Sequence, residues 1–222
     1  MSFPDLFKKL PKFIFILFLI HFLPMSLIAQ EIDRDFFEFP EELIPGLTTD
    51  QRIKLAQKRS FHFPKSDERE LGKYDLETEG PDHVLMRFTM LSGQSGFFNI
   101  ELRRFERVDG SYFWLYSKYG GTRSVFEQHE LFGLEEINGE WERIDPPGLP
   151  VRLDNLLFAV RDLTGEELAS LQSWSSYFDL KNEANDFITY LLFPTGSTQK
   201  ATFFREELTF QWNGERFVRI SN

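Results

Sequence analysis

The feature that most constrains this chain is an Asn-Gly dipeptide that occurs twice between alternating apolar residues. Asn138-Gly139 lies in the middle of the chain, and Asn213-Gly214 lies close to its C-terminus. Asn and Gly tolerate the positive φ angles that a two-residue hairpin turn requires at both central positions. Each copy continues with Glu and ends in Arg-Ile. The pattern predicts two β-hairpins, each closing one half of a two-part protein.

Residues 1–29 have the anatomy of a secretory signal peptide. The first twelve residues include three lysines, residues 13–20 form an unbroken apolar run, and the small Ala29 offers a cleavage site. The alternative is a retained membrane anchor, although this apolar run is short for a spanning helix. We expect cleavage and export to the periplasm or beyond, and we expect no stable membrane span afterwards.

Charge and cysteine content exclude several kinds of partner and site. The net charge is −10, which argues against nucleic acid and anionic lipid surfaces, because both attract basic patches. The chain contains no cysteine, so disulfides, thiolate metal sites and a lipid-modified N-terminal cysteine are excluded. Core packing must therefore hold the fold together, and the 26 phenylalanines provide apolar surface for it. No cofactor is predicted.

Two short helices are predicted from their N-terminal capping residues. Thr48 or Thr49 can cap a helix that continues through residue 56. A second helix begins after Thr164, with Glu167 at the position that completes a capping box. Between and after these helices the apolar period changes to two, which is typical of antiparallel strands joined by Gly-rich turns.

A longer pattern also occurs twice, which suggests an internal duplication. Aromatic-Asp-Leu-x-x-Glu-x-x-Asp begins at Tyr74 and again at Phe178, and an apolar strand follows each copy. We interpret the order of helix, Asp-Leu hairpin and Asn-Gly hairpin as a degenerate repeat; the alternative is chance similarity between acidic hairpins. The predicted units are residues 30–145 and 146–222, within one continuous domain. The predicted fold class is α+β: tandem helix-plus-antiparallel-sheet units form a long curved sheet with short helices packed on one face.

The candidate binding residues lie on one aromatic strand. Alternation places Tyr112, Trp114 and Tyr116 on one face and Phe113 and Leu115 on the other. If the second face is core, the first is an aromatic platform for an envelope protein, a peptide or a glycan. The alternative is a strand buried on both faces, with one side under a helix.

Candidate catalytic and metal-binding residues do not form a recognisable motif. Ser95 lies in a sequence similar to a nucleophile elbow, but Phe97 replaces the second required glycine. His62, His83 and His129 have no second His or Cys at ligand spacing, so a metal site would need ligands from distant segments. Adjacent Glu pairs are typical of solvated surfaces. No catalytic residue and no metal ligand is predicted.

The order of these features resembles a family of small secreted proteins from Gram-negative envelopes, known only as a domain of unknown function. The matching residues begin with the Pro-rich segment 39–48 and Arg52, and continue with Asp75, Trp141 and the hairpin at 212–217. The Ser-rich stretch of that family is reduced here. The resemblance implies export and no assigned activity, so no catalytic residue is carried over. The helix-plus-sheet layout also looks like β-lactamase-inhibitor-like and PepSY-like proteins, in which a concave sheet clasps a partner; this is an analogy of fold alone.

The leading functional hypothesis is therefore a non-enzymatic binding or interaction module of the cell envelope. The alternative is a hydrolase or carbohydrate-active enzyme with a carboxylate site between the two units. A third hypothesis is a purely structural assembly protein, which would form concentration-dependent oligomers. The aromatic strand and the acidic charge favour the first.

Overall fold

The computed structural model describes most of the chain after residue 34. The described ranges are 35–43, 47–62, 72–80, 82–91, 96–122, 125–150, 154–171, 174–181, 186–194 and 203–220. The predicted signal segment and the loop that contains Ser95 lie outside these residues.

Strands dominate the described chain. A helical turn at residues 35–38 comes first, and a 3-10 helix at Asn155–Phe158 precedes the second α-helix. The elements in chain order are α1 (Thr49–Lys58), β1 (Ser60–His62), β2 (Gly72–Gly80), β3 (His83–Met90), β4 (Gly96–Glu106), β5 (Tyr112–Thr122), β6 (Phe126–Ile137), β7 (Glu140–Ile144), α2 (Gly165–Ser170), β8 (Trp174–Asp179), β9 (Phe187–Pro194), β10 (Glu207–Trp212) and β11 (Phe217–Arg219).

These strands form two antiparallel sheets. The large sheet is a meander in the order β1-β2-β3-β4-β5-β6-β7, and the second sheet has the order β11-β10-β9-β8. Within each sheet, every strand is hydrogen-bonded to its sequence neighbours, so both sheets are antiparallel meanders. The large sheet ends at Ile144 and the second sheet begins at Trp174; the division into two units at residues 145 and 146 stays a prediction.

Both Asn-Gly sites form hairpins, but their turns differ. Asn138 and Gly139 have φ angles of 56° and 85°, and they connect β6 to β7 as a two-residue turn. The second hairpin has four loop residues, because Trp212 pairs with Phe217. There Asn213 Oδ1 accepts hydrogen bonds from the backbone N–H groups of Glu215 and Arg216, which closes a wider turn. The two predicted hairpins are confirmed, and the tight turn is correct only for the first.

The helix caps are as the sequence predicts. Thr48 caps α1 in a capping box with Gln51, and Thr164 caps α2 in a capping box with Glu167. The two helices contribute differently to the core, since α1 buries residues such as Leu55 whereas α2 has no buried residue.

The large sheet is covered on both faces. Its even-numbered side chains pack under the N-terminal cover, which we define as residues 35–43 and 47–58; the buried residues of this first core are Phe36, Phe39, Leu47, Leu55, Tyr74, Leu76, Val84, Met86, Phe88, Ile100, Leu102, Trp114, Tyr116, Phe132 and Leu134. On the opposite face, odd-numbered residues of β4 and β5 (Phe105, Phe113 and Leu115) join the apolar face of the second sheet in a second core. The result is three layers around two cores.

The predicted α+β fold class is wrong. The protein is β-rich, with eleven strands in two sheets among the described residues, rather than one long curved sheet under paired helices. The physical reason lies in the second half, where α2 spans six residues and buries none of them, so it covers no sheet. The C-terminal strands instead bury their apolar face directly on the large sheet.

Buried polar side chains of β4 hold the second sheet in place. Arg103 is 1% exposed and donates to the backbone carbonyls of Leu180 and Phe187, both at 2.7 Å. Glu101, also 1% exposed, accepts from the backbone N–H of Leu180 at 2.9 Å. Buried charges are tolerated when such hydrogen bonds satisfy them. The two sheets are therefore joined by directional bonds as well as by apolar packing.

The described helices are short. None of them combines the length and the apolar character needed to cross a bilayer.

Candidate functional site

The structure places the predicted binding residues under the N-terminal cover. Trp114 and Tyr116 are both 0% exposed, and Tyr112 is half-buried. The indole Nε1–H of Trp114 donates to Asp35 Oδ2 at 3.1 Å, and the Tyr112 hydroxyl donates to the same oxygen at 3.2 Å. Phe39 packs edge-on against Trp114 with ring centroids 5.8 Å apart.

Strand β5 is thus buried on both faces, which is the alternative that the sequence left open. Trp114 and Tyr116 belong to the first core, and Phe113 and Leu115 belong to the second. The aromatic face is covered by the chain's own segment, and only Tyr112 keeps an accessible part. Ligand binding by these residues is untested and stays a prediction.

An open groove lies on the other face of the large sheet, beside β8. Its volume is about 710 Å³, which is within the range of small-ligand sites. The lining residues come from four strands of the large sheet and one of the second sheet: Arg87, Thr89, Met90, Gly96, Phe97, Asn99, Tyr119, Phe126 and Tyr177. The groove lies at the edge of the second core, whose large-sheet residues come from β4 and the strands after it.

Aromatic rings form one wall of the groove. Tyr119 and Tyr177 stack with centroids 4.4 Å apart, and Phe126 packs edge-on against Tyr177 at 5.3 Å. Phe97 lies 5.6 Å from Phe126 and is 37% exposed. Phe126 reaches this face because the register of β5 and β6 shifts between Lys118 and Tyr119. The wall therefore joins rings of the large sheet to one ring of the second sheet.

A row of polar side chains crosses the floor of the groove. Arg87 pairs with Asn99 across β3 and β4, and Asn99 pairs with Tyr119 across β4 and β5. Directly paired residues in antiparallel strands project to the same face, so this row is a consequence of register. Arg87 Nε donates to Asn99 Oδ1 at 3.3 Å.

The row continues inward to a buried carboxylate. The hydroxyl of Tyr119, the residue that pairs with Asn99, donates to Glu101 Oε1 at 2.9 Å. Burial and the nearby Glu101 carboxylate raise the pKa of Tyr119 far above its ordinary value. Burial, followed by the carboxylates of Asp179 and Glu101, raises the pKa of Tyr177 to about 12. Both hydroxyls therefore stay protonated at neutral pH.

The other candidate residues do not join this site. His83 is buried in β3 and His129 is exposed 3.8 Å from Glu127. Of the paired glutamates, Glu135 is bonded to Arg107 and Glu167 to Arg161. Within the described ranges, no group of three His, Cys, Asp or Glu side chains is placed to hold a metal ion.

Sequence reasoning missed the groove residues. Alternation alone assigns Arg87 and Asn99 to one face of their own strands, but it does not show that they are paired. The usable signal is the hairpin between β3 and β4, since its register follows once the loop length is known. Tyr177 could not be placed at all, because its contact with Tyr119 depends on how the two sheets pack.

The comparisons with known proteins establish a likeness of fold. A domain of an uncharacterized protein from Porphyromonas gingivalis W83 matches with a TM-score of 0.56 and 16% sequence identity. The match covers 86% of this chain and 99% of that domain. No protein-family model matches the chain, and no curated protein matches it either. The likeness is consistent with a family of unknown function; the envelope location and the PepSY-like fold stay predictions.

Proposed function

We propose that this chain is a non-enzymatic binding module of the cell envelope and that the aromatic groove is its binding site. One observation carries the proposal: an open groove whose wall is built from stacked rings and whose floor carries an ordered polar row. Such a combination of apolar surface with a few placed polar groups is typical of sites that bind small ligands.

The rigidity of the walls supports binding without large rearrangement. Strands β4 and β5 are paired along their full lengths, and β8 is held to them by the bonds of Glu101 and Arg103 to Leu180. A preformed site loses less conformational entropy on binding than a mobile one. The groove therefore presents its rings in fixed positions.

The charge of the groove favours binding over hydrolysis. Glycosidase-type catalysis needs two carboxyl groups facing each other across a cleft. The nine groove-lining residues are one arginine and eight uncharged residues. Export through residues 1–29 and an envelope partner, whether a protein, a peptide or a glycan, remain part of the proposal.

The proposal is tested by capture from a native envelope extract and by a screen of defined glycans and peptides. The groove variant combines Met90→Ala with Phe97→Ala, since both side chains are exposed and their loss leaves the cores intact. The matched control combines Leu156→Ala with Val160→Ala, two exposed apolar residues outside the groove.

We expect the wild type and the control to retain the same specific ligand, and we expect the groove variant to lose it. Thermal unfolding should show similar midpoints for all three proteins. Equal retention by the groove variant and the wild type would show that the groove is not the binding site.

A further inference from the structure

We infer that the groove selects ligands that carry a carboxylate on a flat, ring-sized body, with Arg87 as the anion-binding residue. This inference deepens the proposed function and rests on it. It concerns the chemistry that the groove recognises, whether the acid is a free small molecule or the acidic unit of a glycan.

Arg87 is the only cation among the nine lining residues. Its side chain is 47% exposed, and its Nε is bonded to Asn99. The terminal nitrogens of the guanidinium are therefore the donors that a ligand in the groove can reach. A guanidinium offers two parallel N–H donors that match the geometry of a carboxylate.

The polar row holds this guanidinium in one orientation. Asn99 Oδ1 accepts a hydrogen bond from Arg87 Nε at 3.3 Å, and Asn99 lies in β4, which is paired with a strand on each side. This bond anchors the guanidinium at Nε and leaves its terminal nitrogens for a ligand.

The carboxylates nearest to Arg87 compete with a ligand only weakly. Arg87 Nη1 lies 4.0 Å from Glu77 Oε1, and both side chains are about half exposed. Exposed ion pairs at that distance contribute little. Asp75, which pairs with Arg87 across β2 and β3, is bonded to Lys73 at 2.7 Å. A ligand that also stacks on the rings can therefore displace the contact with Glu77.

The edge of β8 beside the groove is not available for adding a peptide strand. The backbone N–H of Phe178 donates to Gln128 Oε1 at 2.8 Å, and its carbonyl accepts from the Ser117 hydroxyl at 3.0 Å. Side chains of the large sheet thus already bond the groups that an added strand would use. Recognition must come from the groove side chains, which favours a compact ligand over an extended peptide.

The rings select the body of the ligand. Phe97 is partly exposed, and Phe126 and Tyr177 are half-buried beside it. Flat apolar faces bury a large area against such rings at little conformational cost. Both an aryl group and the C–H face of a sugar ring satisfy this requirement.

The test uses two matched pairs of probes on the full chain, followed by NMR of the groove residues. The first pair is phenylacetate and phenylacetamide, and the second is methyl β-D-glucuronide and methyl β-D-glucoside. We expect the acid of at least one pair to bind at least about tenfold more tightly than its neutral partner, because charge-assisted hydrogen bonds are the stronger ones. The pair that shows the preference identifies an aryl acid or a sugar acid.

Arg87→Gln should abolish the preference for the acid, so that the acid and the neutral probe of each pair bind alike. Arg219→Gln, an exposed arginine outside the groove, is the matched control and should keep the preference. Asn99→Leu should weaken the preference, because Arg87 Nε loses its acceptor, whereas a merely structural role would lower binding of both probes alike.

Equal binding of acid and neutral probes, or an acid preference that survives Arg87→Gln, overturns the inference and leaves the groove as a neutral binding site. Absence of binding by all four probes also overturns it. The proposed function fails separately, when the Met90→Ala and Phe97→Ala variant retains the same ligands as the wild type in the capture and screening experiments.

Discussion

The two faces of the large sheet differ in how completely they are covered, although the same strands form both. On the even-numbered face the N-terminal cover closes over the rings, and Trp114 and Tyr116 lose all contact with solvent. On the odd-numbered face the second sheet covers Phe105, Phe113 and Leu115 and leaves an open groove beside Phe97, which is 37% exposed.

The difference shows that exposure on this sheet depends on which part of a face the covering layer reaches, rather than on the residue type beneath it. Tyr116 and Tyr119 lie three residues apart on β5 and are both aromatic. One stacks on Phe132 in a closed core, and the other stacks on Tyr177 at the floor of an open groove. Aromatic alternation within one strand therefore does not predict which face is accessible.

The largest expected effect comes from removing a buried ring on the even-numbered face of the large sheet. Trp114→Ala should lower the free energy of unfolding by about 3–5 kcal/mol, because a fully buried ring leaves a cavity. Phe97→Ala on the open face should lower it by less than about 1 kcal/mol, since surface changes have small effects. Urea unfolding measures both, and similar losses would contradict the distinction between the two faces.

A smaller effect is expected from removing hydrogen bonds that attach the second sheet to the large sheet. Arg103→Met should lower the free energy of unfolding by about 2–3 kcal/mol, because the carbonyls of Leu180 and Phe187 lose their donor. Hydrogen exchange should show faster opening of β8 and β9 than of β2 and β3. Uniform acceleration across both sheets would instead indicate that the two layers unfold as one unit.

Alkaline pH should weaken the fold through the groove tyrosine. The pKa of Tyr177 is raised to about 12 in the folded chain, above the ordinary value of about 10. The folded state therefore binds more protons between these values, and the stability that is complete below about pH 10 is lost as the pH rises toward 12. Tyr177→Phe should reduce the slope in unfolding experiments over this range. An unchanged slope would mean that Tyr177 ionises normally in the fold.

The smallest expected effect distinguishes α1, which covers the large sheet, from α2, which does not. Thr48→Ala removes the cap of α1, which buries Arg52 and Leu55, and should cost about 1 kcal/mol. Thr164→Ala removes the equivalent cap of α2, which buries nothing, and should cost less. Thermal unfolding of the two variants makes the comparison, and a larger shift for Thr164→Ala would reverse the assignment of the covering helix.

Local structure followed from the sequence because its causes are local. The caps were identifiable as Thr48 or Thr49 and as Thr164 from residues within one helical turn, and the tight turn at Asn138 follows from its φ preference. The wider turn at Asn213 was missed; there the Gly214 carbonyl also accepts a bond from Val108, in the turn between β4 and β5.

Layer packing and the groove did not follow from the sequence, because their causes are nonlocal. The burial pattern of β10 shows which face is apolar, yet it does not show that the large sheet lies against that face. Likewise, Arg87, Asn99 and Tyr119 are twelve and twenty residues apart along this meander, and only the register brings them into one row. The candidate site depends on how the strands pair rather than on the sequence of any one segment.

The position of the N-terminal cover in the chain has a consequence for the order of folding. Asp35 bonds Tyr112 and Trp114, which lie 77 and 79 residues later, and Arg143 bonds the carbonyls of the cover about a hundred residues later. This segment precedes the strands on which it docks, so its docking surface does not exist until those strands have paired. Contacts of such sequence separation slow folding, because a long loop must close before they form. We therefore expect docking of the cover to be a late event in folding.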